Sequence, residues 1–184
     1  QTANALVRAE TGLWSKVKAR LEALGDLNDQ QAVNEAIKQA FADMEESLKD
    51  IGDSGSTAVV SVKIGAKVYM AWLGDARGVL VKKDGTAVRL TKDHKPNDLS
   101  ERVRIQEAGS VVLNNLGVWR VGGVIAVARA FGDRLYGAGV ISVPPDQLVF
   151  NAEEGDTLIL ACDGVWDVCS EEAAAAVVKA NLGK

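Results

Sequence analysis

The order of elements predicts an α+β protein built in layers, its sheets largely antiparallel. Three observations carry this: helical periodicity up to about residue 50, short β-rich runs between turns in the middle, and an alanine-rich helix at the end. Leu6, Leu13, Val17, Leu21 and Leu24 recur at three-, four- and seven-residue steps and predict one helix, closed by Gly25. Asn28 then offers a cap for a second helix that carries Val33, Ile37, Phe41, Met44 and Leu48 on one face. After GDSGST at residues 52–57 the period changes. TAVVSVKI, KVYMAWLG, RGVLVKK and TAVRL read as a meander of antiparallel strands, joined at Gly65, Gly74-Asp75 and Lys83-Asp84-Gly85-Thr86. A short helix is expected from Ser100, as cap, to Gly109, as stop, with its charges forming a solvated face. SVVLNN, GVWRV, VIAVAR, QLVFNA and DTLILAC supply further strands, and Glu171–Leu182 the last helix.

At 184 residues the chain is long enough for one domain with a real core: a helical pair over residues 1–50 and a strand-rich part with the last helix over 53–184. Hydrophobic residues make up 47% and charged residues 25%, the balance of a soluble globular protein. With 21 basic and 25 acidic residues the net charge is −4, which argues against nucleic-acid backbone binding as the main task. No apolar run approaches the length of a membrane span, and no basic-then-apolar leader opens the chain. Cys162 and Cys169 are too few for a disulfide framework, so cytosol or nucleus is the expected compartment. His94 is the single histidine, which leaves little material for a zinc site or a Ser/His triad.

The chemistry is expected where acids follow apolar strands. Asp75 follows MAWLG, Asp133 follows ARAFG, and Asp163 follows LILAC, a run so apolar that an interior strand is expected there. Carboxylates brought together on one rim repel unless a cation sits between them. Oxygen donors without histidine or thiolate suit Mg²⁺ or Mn²⁺. Asp-Gly and Gly-Asp pairs also make ordinary turns, and that is the reading for Asp84 and Asp156, with Asp167 a cap or salt-bridge residue. Trp14, Trp72, Trp119 and Trp166 are read as packing, and Cys162 as a small buried residue.

GDSGSTAVV, WLGDARGVL, LTKDHKP, ERVRIQEAGS, RVGGVIAVARAFGD and LILACDGVWDV stand in the order found in metal-dependent protein phosphatases of type 2C, and the chain resembles that family from about Asp53 onward. The helices before the SGSTA strand resemble the family's helical insertion. The resemblance implies a four-layer α-β-β-α sandwich of two antiparallel sheets flanked by helices. It also implies a rim site with two Mg²⁺ or Mn²⁺ ions, and hydrolysis of phosphoserine or phosphothreonine in a phosphoprotein substrate by metal-activated water. Asp163, the expected catalytic residue, matches the aspartate of the core metal, and Asp75 matches a ligand of an additional one. Arg129 and Arg134 flank AFGD beside the flap, residues 134–144, where they could meet a phosphorylated substrate or close a salt bridge; a regulatory protein could dock there as well. Ala76, Ala128 and Gly122 stand where the family often has serine, serine and asparagine. The family's Arg, its Glu-Asp pair and its Asp-Gly-His-Gly strand end would fall before Gln1, and its closing Asp-Asn strand after Lys184. The sandwich is therefore expected to be incomplete at both ends, the middle of a catalytic domain. The alternative reading is a catalytically inactive pseudophosphatase, acting as a regulatory binding module or as a subunit of an assembly.

Overall fold

The computed structural model describes residues 2–136 and 139–182. Three helices open the chain: α1 (Ala3–Val7), α2 (Leu13–Glu22) and α3 (Gln30–Ser47). The single helix expected before Gly25 is thus two. They part at Gly12, where a Cβ would lie 2.3 Å from the Val7 carbonyl oxygen and 2.6 Å from that of Leu6, so only a glycine admits the close turn of α1 onto α2. Asp29, rather than Asn28, caps α3: its carboxylate accepts from the backbone N–H groups of Gln31 and Ala32.

The strands follow: β1 (Gly55–Ser56), β2 (Ala58–Ile64), β3 (Lys67–Leu73), β4 (Arg77–Val81) and β5 (Ala87–Arg89). After them come α4 (Leu99–Glu107), β6 (Val112–Asn115), β7 (Val118–Val121), β8 (Phe131–Gly132), β9 (Asp146–Asn151), β10 (Thr157–Ala161), α5 (Asp163–Trp166) and α6 (Glu171–Asn181). Asp98 caps α4 in place of Ser100, accepting from the Ser100 N–H. The expected strand VIAVAR does not form. Gly122 and Gly123 turn the chain with φ of +57° and +76°, and only Ile125 bridges back to Val121. Downstream, the Ala128 N–H donates to the His94 carbonyl and the Ala128 carbonyl accepts from Arg104, so ladder partners are already spent elsewhere.

Two antiparallel sheets of three strands, β2-β3-β9 and β10-β4-β5, form the centre of the molecule. Strand β3 shows how a period of two builds the layers. Tyr69, Ala71 and Leu73 belong to one core with Val17, Val33, Ile37, Phe41 and Met44 of the helices. The alternate residue Met70 looks toward the other sheet, where a Cβ on Gly78 of β4 would lie 2.2 Å from its Cε. Helix α6 packs on β5 and β4, completing four layers: helices, sheet, sheet, helix. A second core gathers Ile105, Val112, Val121, Ala130, Val140 and Ile141 under the β6–β7 hairpin. Three burial expectations fail. Strand β10 pairs only with β4 among the described residues, and it is half-buried rather than interior. Consequently Cys162, just past its end, is exposed. Trp14 is 56% exposed, unlike Trp72 and Trp166, which are buried. No helix among the described residues is long and apolar enough to cross a membrane.

Candidate functional site

Strands β4 and β10 run antiparallel, and their last pair at one end is Ala161 with Arg77. Asp163 lies two residues beyond Ala161, and Asp75 two residues before Arg77. The register therefore brings both acids to the same end of two adjacent strands. Arg77 fixes that end: its guanidinium reaches Asp93 at 2.9 Å and Glu171 of α6 at 3.0 Å.

Their surroundings differ. Asp163 opens α5, is exposed, and its carboxylate accepts no hydrogen bond from the described residues. It lines a cavity of about 740 Å³ between the β2 side and the β10 side of the rim, together with Thr57, Val59, Trp14, Leu160 and Cys162. Asp75 is 7% exposed and does not line this cavity, although its neighbour Ala76 does. A buried carboxylate needs a counter-charge, and Lys95 supplies it through an ion pair with Asp75 Oδ2.

The turn that carries Asp75 is clamped from behind. Gly74 takes φ +86° and packs so closely on Thr57 that a Cβ would fall 2.3 Å from its Cγ2. The Gly74 N–H donates to His94 Nδ1 at 3.0 Å, and the His94 N–H donates to the Gly74 carbonyl at 2.9 Å. With Nδ1 accepting, the ring proton sits on Nε2. Nε2 lies 3.2 Å from Asp146 Oδ2 without meeting the geometry of a full hydrogen bond. The ring, 2% exposed, also stacks on Trp72. Asp146 in turn binds Arg129 at 2.7 Å, Arg129 binds Glu101, and Glu101 binds Arg104 at 2.9 Å. The Arg104 guanidinium ends the chain of contacts on the carbonyls of Ala128, Gly139 and Val140. Burial works to raise the Glu101 pKa, but the hydrogen bonds from Arg129 and Arg104 outweigh it and hold the carboxyl below its ordinary value.

Sequence reasoning missed this network. Glu101, assigned to a solvated face, is 4% exposed; its i,i+3 spacing to Arg104 was the available signal. His94 carried a signal too, as a lone histidine set between Asp93 and Lys95. The two flap arginines are both engaged by protein. Arg129 is held by Glu101 and Asp146, and Arg134 by Glu45, at 3.0 Å to Oε1 and 2.8 Å to the carbonyl. Neither lines the cavity beside Asp163, so of the two expectations for them the salt bridge is what the structure contains. Within the expected flap, residues 137 and 138 lie outside the described residues. Asp133 is the third strand-end acid. It takes a left-handed φ of +50° against Gly55, and burial, with Asp53 and Glu45 adding, raises its pKa.

As donors, Asp75 and Asp163 are hard oxygens and fit Mg²⁺ or Mn²⁺ in kind. Among the described residues no three His, Cys, Asp or Glu side chains gather closely enough to hold an ion. Two carboxylates alone fall short of the six oxygens that such an ion takes.

The protein phosphatase 2C family pattern matches residues 5–184. "Probable protein phosphatase 2C 76" of Arabidopsis thaliana is 44% identical over 151 residues, 82% of this chain and 36% of that protein. "Probable protein phosphatase 2C 55" of Oryza sativa subsp. japonica is 42% identical over 154 residues, 83% of this chain and 40% of that protein. The chain therefore spans well under half the length of these relatives. Among solved structures, a C. elegans sex-determining protein superposes with a TM-score of 0.80 at 28% identity, over 91% of this chain and 42% of that one. A serine-threonine phosphatase 2C from Toxoplasma gondii gives 0.72 at 25% identity, over 95% of this chain and 64% of that one. A sequence pattern running almost end to end, relatives above two-fifths identity and a shared layered sandwich agree, and the chain belongs to the protein phosphatase 2C family.

Proposed function

We propose that this chain forms part of a Mg²⁺- or Mn²⁺-dependent protein serine/threonine phosphatase, a hydrolase acting on phosphoproteins. The observation that carries the reading is the arrival of Asp75 and Asp163 at the same end of β4 and β10, with Asp163 lining a cavity of about 740 Å³. Family membership supports hydrolysis of a phosphate ester, and an oxygen-only donor pair supports a hard divalent cation. Asp163 would hold that cation from the cavity side and Asp75 from the strand turn. The cation would supply charge neutralisation for a phosphoryl group and a lowered pKa for an attacking water. The protein's own part is positional. The His94 clamp fixes the Asp75 backbone, and Arg77 fixes the strand end.

The test is turnover of a phosphoserine or phosphothreonine peptide by the full-length protein, with Mn²⁺ and then with chelator. Chelator should abolish turnover. Asp163→Asn should lower kcat by at least about a hundredfold, since even outer partners of metal ligands are worth ten- to a hundredfold. Its melting temperature should hold, because the Asp163 carboxylate is exposed and accepts no hydrogen bond from the described residues. Turnover that survives chelation would defeat the metal mechanism. No turnover under any metal would favour a regulatory binding module instead.

A further inference from the structure

Lys95 has a part to play at Asp75 beyond neutralising it. Asp75 has a single ionic partner among the described residues, and that partner is a side chain on a solvent-accessible stem: the Lys95 side chain is 40% exposed, the Asp75 side chain 9%. The two backbone segments that carry them are locked together by the paired hydrogen bonds between Gly74 and His94. The ammonium therefore stands permanently within reach of the carboxylate, at a high effective concentration. A lysine stem can also swing its head into water at small cost. A divalent cation on the same carboxylate would repel that ammonium strongly at such short range. The two positive charges cannot share the site.

From this we infer that Lys95 is a tethered competitor for the divalent cation: it occupies Asp75 when the metal is absent and must be released before the metal can use that ligand. The inference rests on the reading of Asp75 as a metal ligand. It gives the site two states, a lysine-paired one and a metal-loaded one, and it makes metal occupancy at Asp75 weaker and more responsive to metal concentration than its ligands alone would set. If the pair is closed about nine-tenths of the time, apparent affinity falls about tenfold.

Two measurements on the full-length protein test it. In calorimetric titration with Mn²⁺, Lys95→Met, which keeps the stem and removes the charge, should bind at the Asp75-dependent site about tenfold more tightly than the parent. Lys95→Arg, which keeps a cation able to grip the carboxylate with two N–H groups, should bind as weakly as the parent or more weakly. Asp75→Asn identifies that site by abolishing it. Separately, the acetylation rate of Lys95, followed by mass spectrometry, should rise several-fold when Mn²⁺ is added, because the amine is set free, and should not rise in Asp75→Asn. Mn²⁺ binding that depends on Asp75 but leaves Lys95 labelling unchanged, or equal affinity in the parent and Lys95→Met, would overturn the competition and leave the metal reading standing. Absence of any Asp75-dependent Mn²⁺ binding would remove the metal reading and the competition with it.

Discussion

Asp146 ties the ring of His94 to the guanidinium of Arg129, and its acidity records that position. The contact with His94 contributes most, the charge of Arg129 adds to it, and burial opposes both; the pKa falls to about 2. Folding thus makes this group a stronger acid than it is in the unfolded chain, where 3.8 is ordinary. Its contribution to stability is complete above the unfolded value and is lost as pH falls from about 4 through about 2, because there the unfolded chain binds a proton that the folded chain refuses. Asp146→Asn should therefore cost on the order of 1 kcal/mol at neutral pH, limited by solvent screening. The difference in urea midpoint between parent and variant should shrink steadily below pH 4. A difference that stays constant down to pH 2.5 would show that Asp146 is not held as an anion by these partners. Residues of this kind were hard to read in advance. Asp75 and Asp163 announce themselves because each ends an apolar run, a signal confined to a few neighbouring positions. The His94–Asp146–Arg129–Glu101 network draws on α4, β9 and two irregular segments, and no local pattern links them.

Gly12 decides the shape of the N-terminal layer. Its φ is an ordinary −79°, so the demand for glycine is one of space: three carbonyl oxygens, of Leu6, Val7 and Ala9, lie within 2.8 Å of where a Cβ would stand. They belong to the backbone, which cannot rotate away as a side chain would. Gly12→Ala should destabilise the fold by about 2 kcal/mol through forced movement of α1, read as a lower midpoint of urea unfolding with unchanged slope. An unchanged midpoint would mean that α1 detaches at no cost. At this scale the strands with a clean period of two, β2 and β3 above all, were legible because alternation reports directly on two faces. Helix starts were misread by a residue or two where cap-forming side chains crowd together, as in Asn28-Asp29 and Asp98-Leu99-Ser100, since each can satisfy the same N–H groups. VIAVAR was misread for a different reason. Its β-branched composition fits a strand, but the hydrogen-bond partners that would make it one are committed to His94 and Arg104.

At the scale of the molecule, the rim between the sheets explains why the most apolar strand is not interior. LILAC reads as a core segment because apolar side chains point both ways along it, yet β10 has β4 on one side only among the described residues, and Leu160 is 38% exposed. An apolar edge with unpaired backbone groups beside a cavity of about 740 Å³ is a surface that recruits another strand. The 184-residue chain alone should therefore self-associate with rising concentration, and sedimentation velocity would follow it. Leu160→Lys places a charge on that edge, the device by which natural sheets discourage pairing, and should shift the chain toward monomer. It should cost less than about 1 kcal/mol of stability, because the side chain it replaces is already part-exposed. Two outcomes separate the explanations. If association persists in Leu160→Lys while Leu116→Ser, at the fully exposed tip of the β6–β7 turn, abolishes it, the sticky surface is the hairpin and the β10 edge is silent. If Leu160→Lys alone restores the monomer, the rim that carries Asp163 is also the face on which the sandwich is open to further strands.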